Sequence, residues 1–182
     1  MNKIILLISI TFVTSIFSQT KKNIYVDDKQ DYVILLNKNI NVSNKDMQDA
    51  EVDVFTSSSN GKFNFTLLIS KIFEHNFKEG NILDDTYEDY YKSTCGCSIL
   101  DKEIVYYNNL RTLRYKIKII KANKTFIGFN DSFVSNNLLY NVLFLTFEDK
   151  FSKQQEKYYD IMNDFLINGK TTIDNYKEYK KK

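Results

Sequence analysis

Residues 138–147 read LLYNVLFLTF, the most informative run in the chain. Apolar side chains stand at both alternating positions of this run, and Asn141 and Thr146 are the polar exceptions. A strand that is covered on one face alternates apolar with polar residues, so a run that is apolar at both positions predicts a central strand with a layer packed on each face. Helices are the elements expected to form those layers, so the sequence predicts an α+β domain.

A basic amphipathic strand precedes this run. Its apolar residues alternate with three cations, in the order Leu113, Arg114, Tyr115, Lys116, Ile117, Lys118, Ile119. This alternation predicts one buried face and one solvated basic face. Ala122 and Asn123 are placed to turn the chain into a further strand over residues 125–129. The stripe of Arg114, Lys116 and Lys118 is the candidate anion-binding site, although a solvent-facing strand commonly carries such residues.

Two hairpins are predicted in the N-terminal half. Residues 24–26 are expected to pair with residues 32–36 across a polar turn. Asn60 and Gly61 both tolerate positive φ, and they lie between two runs with strand-like alternation, which predicts a tight hairpin turn. The polar stretch from residue 37 to residue 49 is expected to be a loop.

Two helices are predicted in the rest of the chain. Residues 83–94 place Leu83, Tyr87, Tyr90 and Tyr91 at helical spacing. A second helix is predicted from a capping box formed by Ser152 and Gln155. Its apolar stripe is Tyr158, Met162, Phe165 and Leu166, and Gly169 is placed as a C-terminal cap. The resulting prediction is a single domain with a mostly antiparallel sheet and helices packed on it, an α/β/α sandwich.

The N-terminus predicts export. Lys3 is followed by an apolar run from Ile4 to Phe17, which as a helix would span about 21 Å and is too short for a bilayer core of about 30 Å. Residues 1–18 are therefore predicted to be a cleavable signal peptide, with the cut before Gln19. We expect a periplasmic or extracellular protein that does not span a membrane after cleavage, with one domain over residues 19–169.

Composition and charge limit the classes of partner that the sequence predicts. The chain is 43% hydrophobic and 26% charged, as globular domains are. Its net charge is +2. Lys3 and the tail over residues 170–182 contribute more positive charge than that, so the body between them is slightly negative. A nucleic-acid binder would concentrate positive charge on its body, so this class is not expected. The lysine-rich tail is predicted to be flexible.

Cys95, Gly96 and Cys97 contain the only two cysteines of the chain. Export to an oxidising compartment favours a local structural disulfide or an inert thiol pair. A redox role and a metal site are the alternatives. Zinc requires about four ligands, whereas the single histidine, His75, lies twenty residues from Cys95. The C-x-C spacing also differs from the C-x-x-C motif of thioredoxin-like proteins.

No catalytic, metal or cofactor motif is found elsewhere. His75 has no identifiable triad partner, and no nucleophile elbow of the G-x-S-x-G type is present. The carboxylates Asp84, Asp85, Glu88 and Asp89 could bind calcium, but they lack the spacing of a calcium loop. They are interpreted as a solvated helix face. Neither a catalytic residue nor a cofactor is therefore predicted.

The C-terminal half resembles the PsbP-like family of exported α/β/α domains. The similarity lies in the order of a basic strand, a turn, a doubly apolar strand ending at residues 144–147 and a closing helix ending at residues 161–167, and it covers about residues 100–168. The resemblance implies a non-enzymatic accessory or binding module built on an antiparallel sheet between helices. It implies no site residues.

Two hypotheses of function follow. The first is a secreted or periplasmic, non-catalytic binding or accessory module whose partner is a protein or an anionic cell-surface polymer. The alternative is a thiol-redox or metal-handling protein that acts through Cys95 and Cys97.

Overall fold

A computed structural model of the chain describes residues 22–27, 31–37, 39–47, 50–73, 82, 85–108 and 110–167. The predicted signal peptide, His75, Asp84 and the basic tail lie outside these residues. In chain order the elements are β1 (Lys22–Val26), β2 (Tyr32–Asn37), β3 (Ile40–Met47), β4 (Ala50–Ser59), β5 (Lys62–Ile72), α1 (Asp85–Cys95), β6 (Ser98–Tyr107), β7 (Leu110–Lys121), β8 (Lys124–Ser135), β9 (Leu138–Phe147), α2 (Phe151–Asn163) and β10 (Leu166–Ile167).

Strands β3 to β9 form one antiparallel sheet in the order β3-β4-β5-β9-β8-β7-β6. The predicted central strand, β9, is the fourth of its seven strands. Its side chains alternate between two separate cores: Tyr140, Val142 and Phe144 lie in one, and Leu139 lies in the other. The prediction of a central strand covered on both faces is therefore confirmed.

The layer on the first face combines α2 with a three-stranded sheet in the order β1-β2-β10. Tyr158 of α2 stacks on Phe144 of β9, with ring centroids 4.9 Å apart. The layer on the second face is α1, where Tyr91 stacks on Tyr115 at 5.1 Å. The expected α+β sandwich, mostly antiparallel with helices packed on the sheet, is confirmed.

Both predicted hairpins form. Strand β1 pairs with β2 in a register that places Val26 opposite Val33. At the turn between β4 and β5, Asn60 has a φ of 51° and Gly61 a φ of 71°. Positive φ at both central residues is the feature that makes Asn-Gly a strong hairpin signal.

The expectation of a loop over residues 37–49 is wrong, because residues 40–47 form β3. This strand is the outer edge of the large sheet and pairs with β4 alone. Residues 41–45 are exposed, so their polar side chains remain in water while the backbone supplies the pairing. Apolar alternation is therefore not required of such a strand.

The predicted ends of the closing helix are also wrong. Helix α2 begins at Phe151, its N-cap Lys150 makes no side-chain capping hydrogen bond, and Ser152 lies inside the first turn. The helix ends at Asn163, and the chain then enters β10. Phe165 is fully buried and stacks on Tyr32 at 5.5 Å, so packing against β2 ends the helix early. Gly169 lies outside the described residues.

Candidate functional site

Arg114, the first residue of the predicted basic stripe, is buried. Its side chain is 4% exposed, and its Nε and Nη2 atoms donate to the two carboxylate oxygens of Asp131 at 2.8 and 2.7 Å. Burial acts to lower the pKa of Arg114, but the Asp131 carboxylate outweighs burial and raises that pKa. The expected solvated face is wrong at this position, because α2 covers that part of β7 and the guanidinium lies 5.6 Å from the Tyr158 ring centroid.

The other two residues of the stripe are lysines, and they lie towards the C-terminal end of β7. Lys116 is half-buried, with its Nζ 5.0 Å from the centroid of the Phe151 ring. Lys118 is 34% exposed, with its Nζ 3.3 Å from Glu148. The stripe is therefore divided, since Arg114 belongs to the core and Lys118 belongs to the surface at one end of the sheet.

Three chain segments meet at that end. Phe126 of β8 is opposite Phe147 of β9, and Phe65 of β5 is opposite Thr146 of β9. This register places the β7–β8 turn, the β4–β5 turn and the residues after β9 together. We call this surface the basic end, and its cations are Lys62, Lys118, Lys121, Lys124 and Lys150. Ile120 and the rings of Phe63, Phe126 and Phe147 lie at the same end of the sheet.

The three phenylalanines form an aromatic base for this surface. Phe63 and Phe126 lie 5.2 and 5.0 Å from Phe147 between ring centroids. The Nζ atoms of Lys124 and Lys150 lie 5.5 and 5.8 Å from the Phe147 centroid, within the range of a cation–π contact. Lys150 also donates a hydrogen bond to the Phe63 carbonyl. Two of the cations are therefore held in position by the rings below them.

Ile120 is the most exposed large hydrophobic residue among those described, at 71%. It precedes Lys121 at the end of β7, and Lys121, Ala122, Asn123 and Lys124 are all exposed. The acidic residues next to this surface are Glu148 and Asp149, and Glu148 is paired with Lys118. The basic end thus has an excess of cations, and one protruding apolar side chain lies beside them.

Elsewhere in the fold, three acidic side chains form an internal cluster of ion pairs with one buried lysine. Lys71 of β5 is 2% exposed, and its Nζ lies 2.7 Å from Asp27, 3.1 Å from Asp31 and 2.6 Å from Glu51. Burial acts to lower the pKa of Lys71, and the hydrogen bonds of these carboxylates outweigh it and raise that pKa. The cluster ties the β1–β2 hairpin to β4 and β5.

Sequence reasoning missed this cluster, although a signal for it was present. Lys71 continues the buried positions Phe65, Leu67 and Ile69 of β5, and Asp53 precedes the buried Phe55 at the same spacing in β4. A charged residue at a core-facing position of a strand requires a partner. Tyr32 supplies one for Asp53, whose carboxylate accepts a hydrogen bond from the Tyr32 hydroxyl. Burial nevertheless raises the pKa of Asp53.

Cys95 and Cys97 are bonded to each other in a disulfide. Cys95 is the last residue of α1, and Gly96 has a φ of 58°, the left-handed conformation that commonly follows a helix. The negative end of a helix disfavours a thiolate, whereas reactive cysteines are typically found at the positive end. This position favours a structural role, in which the disulfide closes the turn from α1 into β6.

One acidic residue of α1, Glu88, contacts neighbouring cations. Glu88 lies 2.7 Å from both Lys92 and Lys102, whose hydrogen bonds lower its pKa. Asp89 is exposed. Across the parts of the chain that the structure describes, no group of three or more His, Cys, Asp or Glu side chains could hold a metal ion. Within the same residues, no helix is long and apolar enough to cross a membrane.

The layering and strand order define a PsbP-like fold. The solution structure of cyanobacterial PsbP (CyanoP) from Synechocystis sp. PCC 6803 superposes with a TM-score of 0.60 at 9% identity, over 82% of this chain and 94% of that one. The similarity predicted from the C-terminal half is therefore confirmed for the fold. No protein-family model matches the sequence, and no curated protein matches it either.

Two further solved structures share this fold. A protein from Bacteroides thetaiotaomicron has a TM-score of 0.56 at 9% identity, and the match covers 82% of this chain but 49% of that chain. The protein of unknown function PA94 from Pseudomonas aeruginosa has a TM-score of 0.55 at 9% identity, over 81% of this chain and 96% of that one. At such identities the likeness describes the fold alone.

Proposed function

We propose that this chain is an exported, non-catalytic binding module that binds an anionic partner through the basic end. The observation that carries this proposal is the clustering of Lys62, Lys118, Lys121, Lys124 and Lys150 around an aromatic base at one end of the sheet. A concentrated patch of one charge attracts partners of the opposite charge even when the net charge of the domain is small.

The state of the buried ionisable groups supports a non-catalytic role. Arg114 is bonded to Asp131, Lys71 to three carboxylates, and Asp53 to Tyr32. Each of these contacts joins separate segments of the chain, so these groups hold the fold together. Export is proposed on the pattern of residues 1–18. The lysines of the tail would strengthen the attraction of the same anionic partner.

Retention on dextran sulfate, an anionic polymer, tests the role of the basic end. The test variant combines Lys62→Gln, Lys121→Gln and Lys124→Gln in the full mature chain. A matched control combines Lys45→Gln, Lys102→Gln and Lys157→Gln, which removes the same charge from β3, β6 and α2. We expect the test variant to bind about tenfold or more weakly than the wild type, since each lysine near an anionic surface contributes about 1 kcal/mol.

The control variant should retain most of the binding, and wild-type binding should weaken as salt is added. Equal losses in the two variants would show that net charge, and not the basic end, governs binding. An absence of wild-type binding at low salt would contradict the proposed function itself. Thermal melting of all three proteins establishes that each remains folded.

A further inference from the structure

We infer that the anionic partner is the surface of a lipid bilayer, and that the β7–β8 hairpin tip inserts Ile120 among its headgroups. This inference rests on the proposed function and specifies the partner of the basic end. Ile120 is 71% exposed, and in the sequence it lies between Lys118 and Lys121. A single exposed hydrophobic residue is ordinary on a protein surface, so the inference depends on what surrounds this one.

The groups around Ile120 match the two layers of a bilayer surface. Anionic headgroups attract the lysines, and the apolar region just beneath them accepts an aliphatic side chain. Lysine suits this boundary because its methylene stem lies along apolar groups while the ammonium stays in the polar layer. Lys124 and Lys150 already hold their ammonium groups beside an apolar ring, that of Phe147.

The shape of the hairpin favours a bilayer over a soluble anionic polymer. Strands β7 and β8 have twelve residues each and are joined at Ala122 and Asn123, and the residues of this turn are exposed. An anionic polymer would engage the lysines but would leave Ile120 in water. A bilayer engages both, and burial of an aliphatic side chain strengthens binding.

The absence of tryptophan from the chain permits a direct test. Ile120→Trp introduces one fluorescent reporter at the tip, and Tyr106→Trp introduces one at a position that is 66% exposed at the opposite end of the sheet. Each protein is mixed with vesicles of equal parts phosphatidylglycerol and phosphatidylcholine, or of phosphatidylcholine alone. We expect a blue shift of tryptophan emission only for Ile120→Trp with the anionic vesicles.

A second pair of variants separates insertion from charge attraction. Ile120→Ser should weaken binding to the anionic vesicles about tenfold or more while leaving retention on dextran sulfate unchanged, and Tyr106→Ser should alter neither. Unchanged vesicle binding by Ile120→Ser would overturn the inference but leave the proposed function intact, provided that Lys62→Gln, Lys121→Gln and Lys124→Gln together still weaken retention on dextran sulfate. A blue shift at both tryptophan positions, or with phosphatidylcholine alone, would also overturn it.

Discussion

Arg114 and Lys71 occupy core positions because carboxylates from other parts of the chain neutralise them. Arg114 of β7 lies directly opposite Asp131 of β8 in the strand register, so the pairing that forms the sheet also brings the two charges together. Lys71 instead gathers Asp27 and Asp31 from the chain around the first turn. At both positions a charge is tolerated in the core only while its partners are present.

Removal of one partner should therefore cost far more than removal of both. Arg114→Met leaves the Asp131 carboxylate buried without its cation, and we expect a loss of about 3 to 5 kcal/mol in the free energy of unfolding. Arg114→Met combined with Asp131→Leu should recover most of that loss. Urea denaturation of the single and double variants measures the coupling, and two independent, additive losses would contradict this description of the pair.

Asp53 should make stability depend on pH. Burial raises its pKa in the folded protein, so the proton is held more tightly in the folded state than in the unfolded one. The stabilisation is fully present below the unfolded pKa of about 3.9 and is lost as the pH rises through the raised folded pKa. Asp53→Asn lacks this loss, so its melting temperature relative to the wild type should increase as the pH rises. A constant difference between pH 3 and pH 7 would contradict the shift.

At the level of elements, hairpins were predictable from local sequence, whereas element ends and edge strands were not. The Asn60–Gly61 turn follows from the conformational needs of two residues. Strand β3 has no apolar pattern because it lies at an edge, and α2 ends where Phe165 packs on Tyr32, a residue more than a hundred positions away. The basic end was predicted in part: Lys118 was identified, but the register that adds Lys62 and Lys150 is a property of the assembled sheet.

The cost of replacing Gly61 in the β4–β5 turn should come from backbone conformation alone. A Cβ atom at this position would meet no atom within 4 Å, so any cost of substitution comes from its φ of 71°. Gly61→Val should reduce stability by about 1 to 2 kcal/mol, because a β-branched residue is strained at positive φ. Gly61→Asn should be much milder, since asparagine tolerates this conformation. Chemical denaturation midpoints test the order, and equal midpoints for both variants would contradict it.

The disulfide after α1 should make a modest contribution to stability. It closes a loop of three residues, for which the chain-entropy relation gives about 1.5 kcal/mol. Cys95→Ser combined with Cys97→Ser should therefore lower the melting temperature by a few degrees and leave dextran sulfate binding unchanged. Rapid reaction of the wild-type disulfide with dithiols and oxidation of other thiols by it would instead support the thiol-redox alternative.

Across the whole molecule, the charges that stabilise the fold and the exposed charges of the basic end lie in different places. Lys71 and Arg114 are enclosed by their partners, whereas Lys62, Lys121 and Lys124 are exposed at one end of the large sheet. Variants that remove these exposed lysines are therefore expected to change binding without unfolding the domain. The apolar layers lie on both faces of β9.

Processing of the N-terminus can be tested on protein recovered from its native host. We expect the mature chain to begin at or within a few residues of Gln19, because the apolar run ends at Phe17 and the small Ser18 follows. Intact-mass measurement of the recovered protein reads this directly. Recovery of the bulk of the protein with residues 1–18 attached would contradict the assignment of a cleavable signal.

The pairing of β10 with β2 has a consequence for how the chain is made. Leu166 and Ile167 pair with Val33 and Tyr32, and Phe165 fills the core beside them. During synthesis on the ribosome the small sheet cannot be completed until Leu166 and Ile167 have emerged. A nascent chain that has not yet exposed these residues therefore lacks both the β10 pairing and the contact of Phe165 with Tyr32, so β1 and β2 must wait for a partner strand that is made more than a hundred residues later.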